Sequence, residues 1–304
     1  MAHTRSRRRG AYRALRREVP STVAVLADPG DFAAMASRYR SFAFDDHAAY
    51  LRQTEILLRS LAQQGVYTRV GCFDAEDFAQ YCEEEQLDPD TSASRTRYAA
   101  EVAASGLTLP YAGQTVAQLV PLLLGTRESA LTWEEATAVI AGAAPDAAAD
   151  GTAESGGSRG QVVFARAVEA LAGLLQAVGP GVHHVVCGVS TPDAPLSAAL
   201  RVERGRDGGL RLRDPEPLLL CGVLAAGLAT ASAGGVVIRT EAARGQGDVV
   251  RGWRLRSGWL SPLSEAEVFS AYCTDAGTGE PVPPETGVRY AAGIELPPPS
   301  GGAL

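Results

Sequence analysis

Two nearly identical acidic motifs each follow an apolar segment of the chain. Asp28-Pro-Gly-Asp31-Phe-Ala comes after the run 23–27, and Asp74-Ala-Glu-Asp77-Phe-Ala comes after 66–73. If the two segments are neighbouring parallel strands, Asp28 and Asp74 meet at the carboxyl edge of the sheet, where ligands bind in open α/β folds. Two carboxylates there would hold one Mg²⁺ together with waters and a substrate phosphate. The motifs therefore predict a metal or phosphate site formed by Asp28, Asp31, Asp74 and Asp77.

The same spacing also has a purely structural explanation. An aspartate directly before a helix accepts hydrogen bonds from the free N–H groups of the first turn, and an acid three residues later supports the same turn. Pro29 would occupy the first helical position, where proline is favoured. Helix capping accounts for the spacing, the proline and the repetition, so we expect capping to be the main role of these aspartates.

Cysteine and histidine offer two further chemical readings. Cys72 at a strand end and His47 on a nearby helix would form a nucleophile–base pair only if the fold brings them together. His183, His184 and Cys187 suggest a metal site, but adjacent strand residues point to opposite faces. We therefore expect the two histidines to belong to a half-buried strand rather than to a zinc site.

The N-terminal segment is strongly basic. Residues 1–20 contain one acid, Glu18, and seven arginines, which gives the segment a charge of about +6 against about −13 for the rest of the chain, since the total is −7. We expect a flexible arm that contacts nucleic acid, anionic lipid or the acidic body of the protein. The candidate nucleic-acid contacts are Arg5, Arg7, Arg8, Arg9, Arg13, Arg16 and Arg17.

The chain contains no lysine and no asparagine, so all 28 of its Lys+Arg residues are arginine. This bias is typical of a high-GC bacterial genome, and it removes arginine content as evidence for phosphate recognition. It also excludes every mechanism that needs a lysine, including a P-loop, a Schiff base and a Ser–Lys dyad. No cofactor is predicted, apart from Mg²⁺ if the aspartate site exists.

The order of the predicted elements favours two domains. Apolar runs alternate with helical segments in the first half, which predicts an α/β domain with a mostly parallel sheet over residues 21–143. Residues 144–160 are rich in Ala, Asp, Gly and Ser and form the predicted linker. Residues 161–296 predict an α+β domain with an antiparallel sheet flanked by helices, and residues 297–304 a disordered tail.

In the first half we expect Asp90 to cap a helix over 91–104, and Thr132-Trp-Glu-Glu135 to open the last helix of the α/β domain as a capping box.

In the second half, Trp253 lies among Arg251, Arg254 and Arg256. Such a strand can stack on single-stranded nucleic acid. It more often has one packed and one solvated face, which is what we expect here.

The chain is expected to be cytoplasmic. The apolar run after the basic arm is too short for the core of a signal peptide. The five cysteines form no CxxC pair and are odd in number, as expected of reduced thiols. Residues 217–238 carry no charge over the length of a spanning helix. A Gly-Gly pair interrupts them, so we expect a buried helix and a strand rather than a membrane span.

Two stretches of sequence carry a resemblance to a family. They are SRRRGAYRALRREVPSTVAVLADP at residues 6–29 and VFSAYCTDAGTGEP at 268–281. On these stretches the chain resembles, over its full length, an uncharacterised protein family of high-GC bacteria. No activity is known for that family, so the resemblance implies no functional residues.

Three functions are compatible with these residues. The favoured one is a cytoplasmic adaptor or regulatory protein without catalytic activity, which binds an unknown protein partner or itself. The alternative is a divalent-metal-dependent phosphoryl-transfer or nuclease-type enzyme that uses Asp28 and Asp74. The third is a nucleic-acid-associated protein that uses the arginine arm.

Overall fold

The computed structural model describes residues 21–143, 159–191, 194–212, 216–242, 247–275 and 278–298. The chain divides into two compact units, residues 1–130 and 131–304, here called the N-terminal and C-terminal units. The chain contains both helices and strands, and the strands form two separate sheets, one of three strands and one of seven. The basic arm at 1–20 and most of the predicted linker lie outside the described residues, so the predicted domain bounds stay a prediction.

The elements of the first half in chain order are β1 (Ser21–Val25), α1 (Pro29–Arg38), α2 (His47–Gln63), β2 (Thr68–Cys72), α3 (Ala75–Glu84), α4 (Ser92–Ala104), β3 (Thr108–Pro110) and α5 (Val116–Gly142). The sheet order is β1-β2-β3. β1 and β2 run parallel, as predicted, but β3 is antiparallel to β2. The sheet is therefore mixed rather than mostly parallel. The alternation of elements predicts which strands are neighbours and does not fix the direction of a three-residue strand.

Apolar side chains cover both faces of this small sheet. On one face, α1, α3 and α4 contribute an aromatic-rich core that includes Phe32, Phe78 and Tyr98. On the other face, Leu58 of α2 and Leu123 of α5 pack with the strand residues. Residues that alternate along β1 divide between the two cores, as expected for a strand buried on both sides.

The helix ends show which sequence signals were sufficient. Asp28 and Asp74 cap α1 and α3, as the sequence predicted, and Asp46 caps α2. Asp90 does not cap α4, because Thr91 is the residue directly before the helix and its hydroxyl accepts from the Ser94 N–H at 3.1 Å. The Asp90 carboxylate instead accepts from the backbone N–H of Ser41 at 2.7 Å, and this bond lowers the pKa of Asp90.

The predicted capping box at Thr132–Glu135 is also wrong. These residues lie inside α5, which continues from Val116 to Gly142. Gly125 does not end the helix, because an internal glycine costs only about 1 kcal/mol relative to alanine. Buried residues such as Leu119, Leu123 and Ala136 are present on both sides of it. The division between the two units falls within this helix.

The elements of the second half are α6 (Arg159–Val178), β4 (Gly181–Ser190), β5 (Pro195–Arg204), β6 (Leu210–Arg211), α7 (Glu216–Thr230), β7 (Gly234–Thr240), β8 (Asp248–Arg256), β9 (Trp259–Pro262), α8 (Glu265–Tyr272) and β10 (Val288–Tyr290). The strands form a sheet of order β10-β8-β7-β4-β5-β6, with β9 paired to β8. All pairs are antiparallel except β10 with β8. The short strands β9 and β10 were not predicted from the sequence.

The two faces of the C-terminal sheet are covered differently. The inner face, which carries Val185, Leu200 and Ile238, packs against α6 and α7 in one continuous core. On the outer face, α8 covers only the β8 and β10 end, where Val268 packs with Val250 and Tyr290. Outer-face residues of β4 and β5 remain exposed, including Val186 at 47%.

Residues 217–238 do not form one membrane-length helix. They comprise all but the first residue of the 15-residue α7, which is buried from Leu220 to Leu228, and most of β7. One described helix, α6, is long and apolar enough to cross a bilayer by length and composition alone. In the structure α6 buries Val163, Ala167, Ala170 and Leu174 in the core of the C-terminal unit.

Candidate functional site

The two acidic motifs form the same cap at the ends of two neighbouring parallel strands. The Asp28 carboxylate accepts from the N–H groups of Gly30 at 2.6 Å and Asp31 at 3.2 Å. The Asp74 carboxylate accepts from Glu76 at 2.9 Å and from Asp77 at 3.0 Å. Capping is therefore confirmed for both residues, and each motif belongs to the same local unit, a strand followed by a capping aspartate and a helix.

The structure brings Asp31 and Asp74 together through an arginine that the sequence did not indicate. Arg127 of α5 donates from Nη1 to Asp31 Oδ2 at 2.8 Å and from Nη2 to Asp74 Oδ2. Asp31 also accepts from the Ala75 N–H at 3.2 Å, which ties the first motif to the second helix. Burial opposes the charge of Arg127, but the two carboxylates outweigh it and raise the pKa of the guanidinium.

This arrangement determines the electrostatics of the strand ends. The cation shared by Asp31 and Asp74 is the guanidinium, whose side chain is 31% exposed, while the carboxylates are 14% and 12% exposed. The Asp28 carboxylate accepts from an N–H group of its own helix. Burial is the main cause of the raised pKa of Tyr98, and the negative charge of the exposed Asp77 raises it further. A divalent ion at this position would have to displace Arg127 and compete with the two caps.

The proposed pairing of Cys72 and His47 is not formed. The His47 Nε2–H donates to the Leu26 carbonyl at 2.8 Å, and the ring stacks on Tyr50. Burial raises the pKa of the Cys72 thiol, and the nearby Arg127 lowers it only in part. A thiol with a raised pKa is a poor nucleophile at neutral pH.

The histidine pair of β4 divides between the two faces, as predicted. His183 is fully buried, donates from Nε2 to the Gly179 carbonyl at 3.0 Å and accepts at Nδ1 from the Thr240 hydroxyl at 2.9 Å. His184 lies on the outer face beside Glu241 at 2.8 Å. Burial raises the pKa of Cys187 to about 12. In the described parts of the chain, no three His, Cys, Asp or Glu side chains converge as a metal-binding group.

The remaining polar clusters of the C-terminal unit are internally paired. Trp253 is 1% exposed and donates from its indole to the Ile294 carbonyl at 2.8 Å, so its ring is packed and not available for stacking on a base. A pocket of about 370 Å³ is lined by His184, Arg239, Glu241 and Asp248. Its arginine donates to Asp248 at 2.8 Å and to both carboxylate oxygens of Glu285.

One long strand edge has backbone groups that no described residue pairs. Glu241 donates to the Val182 carbonyl at 2.9 Å and Ser190 to the Ala233 carbonyl at 2.8 Å, so the even-numbered residues of β4 bond toward β7. Successive residues of a strand direct their backbone groups to opposite sides. The odd-numbered residues of β4 therefore bond β5, where they are opposite Leu196, Ala198, Leu200 and Val202.

The other residues of β5 must then direct their N–H and C=O groups away from the sheet. An independent contact agrees with this, because the Arg201 N–H lies 3.4 Å from the carboxylate of Glu216. β6 pairs only with Glu203 and Arg204. Among the described residues, no hydrogen bond reaches the outward groups of Ser197 and Ala199. We call residues 195–202 of β5 the free edge.

Exposed leucines lie near the Arg201 end of the free edge. Leu210 of β6 pairs with Arg204 and is 45% exposed, and Leu212, which follows it, is 41% exposed. Leu218, in the first turn of α7 close to Glu216, is 54% exposed. The outer-face side chains along the edge are small, since Ser197 and Ala199 alternate with the buried Leu196 and Leu200. The surface combines apolar side chains with backbone groups that are unpaired among the described residues, a combination typical of places where a second chain adds a strand.

Sequence reasoning missed both features of the structure that organise its polar groups. Arg127 is distant in sequence from Asp31 and Asp74 and lies in the part of α5 before the helix start predicted at Thr132. No local pattern therefore connects the three residues. The free edge was missed because β5 has the same alternation as any half-buried strand. The candidate arginines of the arm, residues 5–17, lie outside the described residues.

A family model described as "Domain of unknown function (DUF8829)" matches residues 7–114. This agrees with the sequence resemblance to an uncharacterised family in that region, and the match ends before Arg127 and before the C-terminal unit. No curated protein matches the chain significantly. No solved structure matches it significantly either.

Proposed function

We propose that this protein is a cytoplasmic adaptor or regulatory protein without catalytic activity, and that it acts by protein–protein interaction at the free edge of the C-terminal sheet. The observation that carries the proposal is the outward direction of the backbone groups of Ser197, Ala199 and Arg201. An added strand pairs its main chain with such groups, and neighbouring side chains supply selectivity.

The surroundings of the edge support this role. Native sheets protect exposed edges with bulges, charges, proline or a covering element. Here Pro195 and Arg201 lie at the two ends of the open stretch, while Ser197 and Ala199 between them are small and uncharged. The exposed Leu210, Leu212 and Leu218 would lose contact with water when a partner docks.

The enzyme alternative would need the strand-end aspartates to bind Mg²⁺ for phosphoryl transfer. The geometry favours a structural role for them, because each carboxylate already caps a helix or pairs with Arg127. A shift in melting temperature on adding Mg²⁺, lost in Asp31→Asn and in Asp74→Asn, would support the alternative.

The arginine arm remains a candidate auxiliary contact with nucleic acid or another polyanion. The charge of about +6 on residues 1–20 supports this proposal. Binding through the arm would weaken steeply with added salt and would be lost when residues 1–20 are deleted. Binding that survives the deletion would remove the arm from the account.

The proposed function is tested by affinity capture with the full chain and two variants at one position. Ala199→Pro removes an outward N–H at an edge position where proline is tolerated. Ala199→Val keeps the N–H and favours the strand, so it is the matched control. We expect proteins captured from an extract of the source cells by the wild type and by Ala199→Val to be lost with Ala199→Pro. Equal capture by all three, with equal melting temperatures, would refute a role of the free edge in partner binding.

A further inference from the structure

We infer that the free edge binds a second copy of the same chain, so that two copies of β5 pair antiparallel about a two-fold axis and join two C-terminal sheets into one. This inference rests on the proposed function and names the partner of the same surface. Closed two-fold dimers are the commonest homo-oligomers, and their interfaces bring one patch against itself.

The first argument is the complementarity of hydrogen bonds. Under two-fold symmetry, each outward N–H of β5 faces an outward C=O of the other copy, as in any antiparallel pair. With the axis beside Ala198, near the middle of the free edge, Ser197 of one copy lies opposite Ala199 of the other. Both residues then exchange N–H and C=O bonds, and the two Ala198 residues face each other as the pair between them.

The second argument concerns the end of the edge. In this register Arg201 lies opposite Pro195 of the other copy, and the outward groups of both residues lie on the free edge. Proline has no N–H to donate, so its carbonyl accepts from the Arg201 N–H and no donor is left unpaired at this point. The weak 3.4 Å contact of that N–H with Glu216 is replaced by a backbone bond.

The third argument is the distribution of charge and side-chain size. Within residues 195–201 the register opposes no two like charges, because Arg201 lies across from a proline. Like charges directly opposite each other would be destabilising. Ser197 and Ala199 are small enough for the two outer faces to continue without a step.

The fourth argument is the position of the apolar side chains. Leu210, Leu212 and Leu218 are all at least 41% exposed and lie next to the free edge in β6, after β6 and at the start of α7. In this register the two-fold axis places the two sets of leucines at opposite ends of the paired stretch, each beside the Pro195 end of the other copy. An uncovered strand beside exposed leucines is an aggregation risk for a monomer, and the second copy covers that strand.

The test is the mass of the full-length protein in solution, measured by sedimentation or light scattering across a wide concentration range. We expect the wild type and Ala199→Val to have twice the mass of one chain, and Ala199→Pro to have the mass of one chain with unchanged helix and strand content. Ser197→Pro, which removes the next outward N–H along the strand, is the second variant if Ala199→Pro does not fold.

Two other outcomes overturn the inference. A wild type that stays monomeric at the highest concentration shows that no second copy occupies the edge, while partner capture that depends on Ala199 would leave the proposed function intact. A dimer that persists in both folded proline variants places the interface elsewhere. Conversely, loss of the dimer in Ala199→Pro without any change in the captured proteins would support self-pairing and would refute the role of the edge in binding other partners.

Discussion

The strand ends of the N-terminal unit and the free edge of the C-terminal unit are both concentrations of polar groups, but they differ in how those groups are paired. Asp28, Asp31 and Asp74 are bonded by helix N–H groups or by Arg127. On β5, among the described residues, the outward groups of Ser197 and Ala199 are bonded by nothing.

The difference shows which polar groups are available for function. The acidic motifs have the residue types of a catalytic site, yet their hydrogen-bonding capacity serves the fold. The free edge has no residue with a chemical signature, yet its outward donors and acceptors are paired by no other residue that the structure describes. We therefore base the proposed binding surface on unpaired hydrogen-bonding groups rather than on residue type.

The largest expected effect on stability comes from breaking the paired region. Arg127→Met leaves two part-buried carboxylates facing each other without a cation, and we expect a loss of about 2–4 kcal/mol in the free energy of unfolding, below the range for a fully buried pair because the guanidinium is partly exposed. Urea unfolding measures it. Adding Asp31→Asn to this variant should recover part of the loss.

Arg38→Met is the matched control for this prediction. Arg38 pairs with Glu76 at 3.0 Å, but the two side chains are 45% and 81% exposed. Its removal should lower the free energy of unfolding far less than removal of Arg127, because water screens an exposed ion pair. Equal losses for Arg38→Met and Arg127→Met would contradict the view that the ion pairs of Arg127 with Asp31 and Asp74 stabilise the fold. Stabilisation of Arg127→Met by Mg²⁺ would show that the cluster binds a metal once the guanidinium is gone.

The second prediction uses pH to test a paired polar group inside the C-terminal unit. Burial lowers the pKa of His183 in the folded protein. The unfolded chain therefore takes up a proton first as the pH falls below about 6.5, and the folded state loses up to about 1.4 kcal/mol per pH unit until its own pKa is reached. Above about pH 6.5, where His183 is neutral in both the folded and the unfolded chain, its contribution to stability is fully present.

Urea unfolding between pH 5 and pH 7.5 checks this slope. His183→Gln should abolish it, and His184→Gln, which removes the exposed neighbour on the outer face, should keep it. An unchanged slope in His183→Gln would mean that another group controls stability in this range. The buried histidine would then not be the paired, neutral group that its bonds to Gly179 and Thr240 indicate.

The smallest expected effect sharpens the other side of the comparison. Glu216→Ala removes the carboxylate that lies 3.4 Å from the outward Arg201 N–H. Because the contact is long and exposed, we expect a change of within about 0.5 kcal/mol in the free energy of unfolding. Sedimentation should show self-association that is unchanged or slightly tighter. A clear loss of association would mean that Glu216 is itself part of the interface.

The sequence predicted much of the architecture and little of the site. The caps at Asp28, Asp46 and Asp74, the helix α1 and most strands of the second half follow from local patterns. The continuity of α5 and the direction of β3 do not, because they depend on packing and strand pairing between distant segments. The Arg127 cluster and the free edge depend on which strands become neighbours and on which strand lies at the edge.

The central claim is that the outward backbone groups of β5 are open in the single chain and become paired by a second copy. Amide-resolved hydrogen exchange tests it on adjacent residues. In dilute protein we expect the Ser197 and Ala199 amides to exchange without protection while Ala198 and Leu200, which bond β4, stay protected. At high concentration all four should be protected. Protection of Ser197 and Ala199 in the dilute monomer, equal to that of Ala198, would contradict the claim, because the chain itself would then cover the edge.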